Sequence, residues 1–161
     1  MKKKCTEDEA RLKAESYCSA SEHCTEDVLR KLEQWGAPET AYDVILEHLK
    51  KEGYIDNQRY AIAFVRDKYR FNQWGRLKIV QALKMKYISS DIIREALEEI
   101  NEEEYLGGLV ALLRRKFPLI KAVTDYERNG KLFRFAAGHG YETKEILQCM
   151  KKIGCEDESL E

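Results

Sequence analysis

Residues 53–78 read Gly-Tyr-Ile-Asp-Asn-Gln-Arg-Tyr-Ala-Ile-Ala-Phe-Val-Arg-Asp-Lys-Tyr-Arg-Phe-Asn-Gln-Trp-Gly-Arg-Leu-Lys. Gly53 reaches left-handed backbone angles without a Cβ clash, so it can close a helix that precedes it. Asp56 can accept a bond from a free amide in the first turn of the next helix. Tyr60, Ala61, Phe64, Val65 and Tyr69 then recur at three- and four-residue steps, the mark of one helix face. Arg66, Lys68 and Arg70 fall on or beside the opposite face. Asn72 to Gly75 interrupts the pattern, and another helix begins near Arg76. One short segment therefore holds a helix stop, a buried helix, a basic rim and a restart.

On the N-terminal side, Thr6 and Glu9 form a capping-box pattern, which predicts a first helix over 7–19 with Ala10, Ala14, Tyr17 and Cys18 on its apolar face. Thr25 caps a second helix carrying Val28, Leu29, Leu32 and Trp35, and Gly36 ends it. Pro38 opens a third, with Ala41, Val44, Ile45 and Leu49, because its missing amide costs little at a helix start. On the C-terminal side the rhythm repeats. The fifth helix (75–86) carries Leu77, Ile79, Val80, Leu83 and Met85; the sixth carries Ile92, Ile93, Ala96, Leu97 and Ile100. A third round follows: a helix over 101–117 despite Gly107-Gly108, which cost it about 1 kcal/mol each, one over 124–137 with Tyr126, Leu132, Phe133 and Ala136, and one over 141–153. An offset of 51 lays Val28, Leu32, Gly36, Ala41, Tyr42, Ile45 and Leu46 on Ile79, Leu83, Tyr87, Ile92, Ile93, Ala96 and Leu97. A further 53 lays Ile79, Leu83, Tyr87, Ile93, Ala96 and Leu97 on Leu132, Ala136, Gly140, Ile146, Cys149 and Met150. The expected fold is all-α: three tandem three-helix repeats in an elongated, curved array, each unit burying apolar surface on its neighbour. The expected boundaries are a flexible tail at 1–5, repeats at 6–53, 54–100 and 101–154, and an acidic tail at 155–161.

The 161 residues are 43% hydrophobic and 35% charged, with a formal net charge of −1. No global positive field points to nucleic acid. Charge is instead distributed in blocks. Residues 66–86 hold seven basic side chains and one acid, a net of +6; residues 91–104 hold seven acids and one base, a net of −6. A second basic cluster recurs at Arg114, Arg115, Lys116, Lys121, Arg128, Lys131 and Arg134. Such clusters are solvated helix faces or, repeated on a curved array, one surface for a polyanion or for the acidic face of a protein. Trp74 sits among the first cluster in a turn, where it serves either a partner or the packing of the flanking helices. The run Glu102-Glu103-Glu104 reads as a solvated helix start. No run approaches the roughly 18 apolar residues of a membrane span, no secretory signal is visible, and a cytoplasmic monomer is expected. The five cysteines read as free thiols in a reducing compartment; a zinc site from Cys18, His23 and Cys24 would need a fourth ligand. No phosphate loop, dinucleotide-binding glycine pattern, zinc-protease motif or nucleophile elbow occurs. No catalytic residue, metal or cofactor is expected, and the three histidines read as surface or turn residues.

Gly53-Tyr54-Ile55-Asp56-Asn57, Arg59-Tyr60-Ala61-Ile62-Ala63-Phe64-Val65 and Trp74-Gly75-Arg76 with Lys78-Ile79 resemble the central signature of the RecX family, bacterial regulators of the RecA recombinase. The likeness spans about residues 7–153, strongest in the middle repeat. It implies a modular all-helical protein without catalytic residues. Such a protein would bind along the groove of a RecA–single-stranded-DNA filament, contact neighbouring RecA protomers, and damp ATPase, strand-exchange and co-protease activity, with weak direct DNA binding besides. By charge and exposure, the candidate partner contacts are Arg59, Arg66, Lys68, Arg70, Trp74, Arg76, Lys78, Arg114, Arg115, Lys131 and Arg134. The alternative is a helical DNA-binding or adaptor module with no recombinase partner.

Overall fold

The computed structural model describes residues 4–155. The first residues of the expected N-terminal tail and the acidic tail from Glu156 lie outside that range. The described residues form nine α-helices, in chain order α1 (Glu7–Ala20), α2 (Thr25–Gln34), α3 (Tyr42–Lys51), α4 (Asn57–Phe71), α5 (Arg76–Met85), α6 (Ser90–Leu97), α7 (Glu102–Lys116), α8 (Asp125–Gly138) and α9 (Thr143–Lys152). They make three tandem triplets, as the sequence predicts. The starts are set by oxygen-bearing side chains: Thr6, Asp56, Ser89, Asn101 and Thr124 each accept a bond from the backbone amide three residues on, satisfying a donor that the first turn leaves free.

The repeat is written most clearly at the ends of α2, α5 and α8. Ala37, Ile88 and Tyr141 donate their amides to the carbonyls of Leu32, Leu83 and Ala136. These are equivalent positions under the offsets of 51 and 53. The residue before each donor, Gly36, Tyr87 or Gly140, has φ of 74°, 59° or 93°. This left-handed closure turns the chain sharply and drives the next side chain inward. Ala37, Ile88 and Tyr141 are accordingly all buried.

Burial follows two cores. Ala10, Ala14, Val28, Leu32, Ile45 and Leu49 belong to the first, within α1–α3. The second is continuous through α4–α9 and includes Val65, Ile79, Leu83, Tyr105, Leu109, Leu132 and Ile146. The second and third triplets are thus fused by shared apolar packing, whereas the first keeps its own core and reaches the second through the buried side chain of Cys24. Polar contacts complete that first junction. Lys86 Nζ lies 2.5 Å from Asp27 Oδ1, and Thr25 bonds the Asn57 side chain. Burial opposes ionisation of Asp27, but the hydrogen bond and charge of Lys86 outweigh it and hold the carboxyl below its ordinary value.

Several apolar residues expected inside are outside. Val44, Leu77, Met85 and Tyr126 are largely exposed. α5 fully buries only Ile79 and Leu83, one residue per turn; Val80 packs partly buried against the core, and Leu77 and Met85 face solvent. Cys5, expected in the tail, is buried and donates its amide to the Gly36 carbonyl. Cys155, expected in the acidic tail, is buried as well.

Tyr87 is the side-chain-bearing member of the three left-handed closures and is mostly exposed. Tyr87→Gly should relieve its steric cost without removing core packing, and raise stability by about 0.5–1 kcal/mol in urea unfolding.

Candidate partner-binding face

The cations singled out from the sequence fall into two groups. The first group is paired with carboxylates of the same chain. Arg59 Nε meets Glu22 Oε1 at 2.5 Å and its Nη2 donates to the Gly53 carbonyl at 3.0 Å. Arg66 Nη2 lies 2.8 Å from Glu99 Oε2, and Arg70 Nε 3.2 Å from Glu104 Oε2. Arg76 Nη2 lies 2.5 Å from Glu102 Oε2, and its Nη1 2.9 Å from Glu142 Oε2. Lys131 Nζ meets Glu127 at 3.2 Å and donates to the Lys121 carbonyl. The basic block on α4 and α5 is therefore complementary to the acidic block leading into α7. Glu102 and Glu104 are not merely a solvated helix start: they hold the third triplet against the second.

Arg76 stands at the centre of this joint. Its guanidinium lies 4.2 Å from the centroid of the buried Tyr105 ring, and its backbone amide donates to the Tyr105 hydroxyl oxygen at 2.9 Å. That hydroxyl donates to Glu142 Oε1. Burial, then the Glu142 bond, push the Tyr105 phenol well above its ordinary value. Burial alone would lower the Arg76 pKa, but Glu102 and Glu142 raise it overall, and the guanidinium is charged throughout. Gly75, just before it, explains the tight approach. A Cβ built there would stand 2.2 Å from the backbone of Gly140 and Tyr141, and one on Gly140 would stand 2.3 Å from Lys78 Cβ. The contact is sealed by two backbone bonds, Gly75 N–H to the His139 carbonyl at 2.8 Å and Leu77 N–H to the Gly140 carbonyl at 3.0 Å.

The second group has no carboxylate partner among the described residues. Lys68 Nζ and Lys78 Nζ lie 4.7 and 4.5 Å from the centroid of Trp74. Trp74 is half-buried, packs edge-on to Phe64 and rests against the second core, so it both packs the α4–α5 turn and presents two ammonium groups. Each such contact contributes about 0.5–1 kcal/mol and positions a flexible lysine. Gln73, left-handed at φ 53°, carries the face across to the third triplet. Its side chain donates to the Gly108 carbonyl and accepts from Arg115, and His139 Nδ1 lies 3.1 Å from its carbonyl oxygen. His139 packs on Phe135, over which Lys116 Nζ lies at 4.8 Å. The fold thus joins Lys68, Trp74, Lys78, Arg115 and Lys116 in one run of contacts. Arg114 is exposed at the end of α7, and Arg134 lies over Gly130 on α8.

Beside Lys68, an open groove of about 580 Å³ runs along α4. Tyr60, Phe64, Phe71, Asp67 and Asn72 line it, with Ser21 and Glu22 from the α1–α2 turn. Phe71, two turns beyond Phe64 on the same side of α4, is 79% exposed. Gln73, Glu142 and Tyr105 gave no sequence signal, because their roles arise only when the third triplet docks. The histidines also have partners. His23 stacks on Tyr17 at 3.7 Å and bonds Ser21 and Asp27, while His48 meets Glu15. Among the described residues, no three His, Cys, Asp or Glu side chains group as metal ligands, and no helix is long and apolar enough to cross a membrane.

Comparison with known proteins places this geometry. Residues 56–97 match the family model described as RecX, second three-helix domain. A regulatory protein RecX of Chlorobium phaeobacteroides is 31% identical over 132 residues, covering 82% of this chain and 85% of the relative. The regulatory protein RecX of Clostridium beijerinckii is 32% identical over 152 residues, covering 93% of this chain and 68% of its own length. In structure, a RecX from Lactobacillus salivarius superposes with a TM-score of 0.80 at 18% identity, over 91% of this chain and 96% of that one. That last likeness is one of fold.

Gly75→Ala tests the joint. The added methyl meets backbone, which cannot swing aside as a side chain can, so overpacking should cost about 2–3 kcal/mol in denaturant unfolding. An unchanged midpoint would show that the Gly75–Gly140 approach is not tight.

Proposed function

This chain belongs to the RecX family of regulatory proteins, and from that premise we propose that it binds the RecA–single-stranded-DNA filament and damps its ATPase, strand exchange and co-protease activity in recombination and repair. The observation that carries the reading is the division of the cations. Arg59, Arg66, Arg70 and Arg76 are consumed in holding the helices together. Lys68 and Lys78, pinned on Trp74 without an acid counter-ion among the described residues, remain available to a negatively charged partner, together with Arg114, Arg115 and Lys116. Because α4–α9 share one core, this face is held in place before binding, and little conformational freedom is lost on docking. A rigid face that spans two triplets suits a polymer with repeating subunits. The protein acts by occupancy of that polymer, in the cytoplasm and as a monomer, rather than by chemistry of its own.

Titrating the chain into the single-stranded-DNA-dependent ATPase of RecA tests the reading. The expected result is inhibition at well below one molecule per RecA, because a molecule seated on the filament acts on its growth or lattice. Unchanged ATPase at an excess of the chain would overturn it.

A further inference from the structure

We propose that the cleft between α5 and α6 takes an extended acidic segment of a partner protein. One apolar side chain of that segment enters between Val80 and Leu97, and its carboxylates lie on Lys84 and Arg94. The contact is distinct from the Lys68–Trp74–Lys78 face and does not depend on a recombinase partner.

The walls set the size and polarity of what fits. Val80, Lys84, Ser90, Ile93, Arg94 and Leu97 line the cleft, whose volume is about 250 Å³. That is below the roughly 300 Å³ at which clefts for small molecules begin, and it suits a single branched side chain. No aromatic ring is among the lining residues, so a nucleobase finds nothing here to stack on. Val80 and Leu97 are partly buried against the second core, and Ile93 is buried in it, so packing holds the walls in place. Leu77, one turn before Val80, prolongs the apolar face of α5 and is largely exposed. A lone exposed leucine means little, but this one adjoins an apolar cleft.

Charge selects the occupant. Residues 76–97 hold five basic side chains and two acids, a net of +3. Both acids are engaged: Asp91 pairs with Arg94, and Glu95 accepts from Gln58. Lys84 is exposed on the rim and pairs with no carboxylate among the described residues. A bare polyanion would meet these cations and leave the apolar walls in water, whereas an apolar segment would leave Lys84 unmatched. An acidic segment with one leucine-like side chain meets both, an apolar centre with a charged rim.

The repeat supplies an internal comparison. The offset of 51 lays Lys84, Ser90 and Ile93 on Glu33, Glu39 and Tyr42, and these three line the corresponding cleft of the first triplet. Lys4, from the segment ahead of α1, lines that cleft with them. The first triplet thus brings a cation of its own chain to an acid-rimmed cleft. In the second triplet the rim charge is inverted, and only α5 and α6 contribute to the lining. The occupant is therefore an outside segment of the opposite sign to Lys4.

The test is a nuclear magnetic resonance titration of the isotope-labelled full chain with acetyl-Glu-Asp-Leu-Glu-Asp-amide, with no recombinase present. The amides of Val80, Lys84, Ile93 and Leu97 should shift, with a Kd of about 0.1–1 mM for one anchor and a few rim charges. Lys84→Glu should weaken binding about fivefold or more, and Arg114→Glu, the same charge change on α7, should match wild type. Ser90→Trp, at an exposed rim position, should fill the cleft and abolish binding while the rest of the spectrum stays that of a folded chain. A peptide with serine in place of leucine should bind about fivefold more weakly or worse. Absence of shifts in α5 and α6, equal losses in Lys84→Glu and Arg114→Glu, or equal binding of the serine peptide would overturn the proposal. Tighter binding by a chain ending at Cys155 would make residues 156–161 the occupant and overturn the assignment to a partner. None of these outcomes alters the RecA ATPase result, and an unchanged ATPase leaves the peptide titration intact.

Discussion

The structure depends on one close approach of backbones. Gly75 lies against Gly140 with no room for a Cβ on either side. That proximity lets two backbone hydrogen bonds join the start of α5 to the end of α8. It also brings Arg76 within reach of Glu102, Glu142 and the Tyr105 ring together. A partly buried guanidinium is tolerable only when its donors are met and its charge is balanced; here two carboxylates and an aromatic face do so. The fused core of α4–α9 and the position of the Trp74 turn both follow from this joint.

The two junctions of the array differ in kind. Between the second and third triplets, apolar burial is continuous and polar contacts fix its register. Between the first and second, a single buried cysteine and a few polar pairs make the link. Ion pairs exposed at a surface contribute little individually, so their value lies in alignment. Arg59, Arg66 and Arg70 run along one side of α4, and their partners come from the α1–α2 turn, the end of α6 and the start of α7. One helix thereby sets the positions of its neighbours on both sides.

Much of this was legible in the sequence. Helical periodicity, cap residues and the offsets of 51 and 53 disclosed the triplets, because each rests on local rules that repeat along the chain. The equivalence of Gly36, Tyr87 and Gly140 is visible as an alignment, but the left-handed closure they share emerges only in the folded backbone. What was hidden is what depends on docking. The +6 and −6 blocks were evident, yet nothing local says that Arg66 meets Glu99 or that Arg76 meets Glu142 across 66 residues. Charge and helical spacing alone do not separate a cation without a partner from one paired with an acid of the next repeat. Exposed Leu77 and Met85 mark the same limit, since an apolar spacing shows that a face exists and not whether a neighbour covers it.

Charge in this protein therefore has two uses, and they sit on the same stretch of chain. Arginines paired with acids of neighbouring helices align the array; lysines held over an aromatic ring have no carboxylate partner among the described residues. The most direct measurement compares two double variants that each remove two positive charges between residues 66 and 78. In the RecA ATPase assay, Arg66→Gln/Arg70→Gln should retain inhibition, and Lys68→Gln/Lys78→Gln should lose most of it. Equal loss in both would mean that bulk charge, not the arrangement around Trp74, determines binding, and would contradict the account.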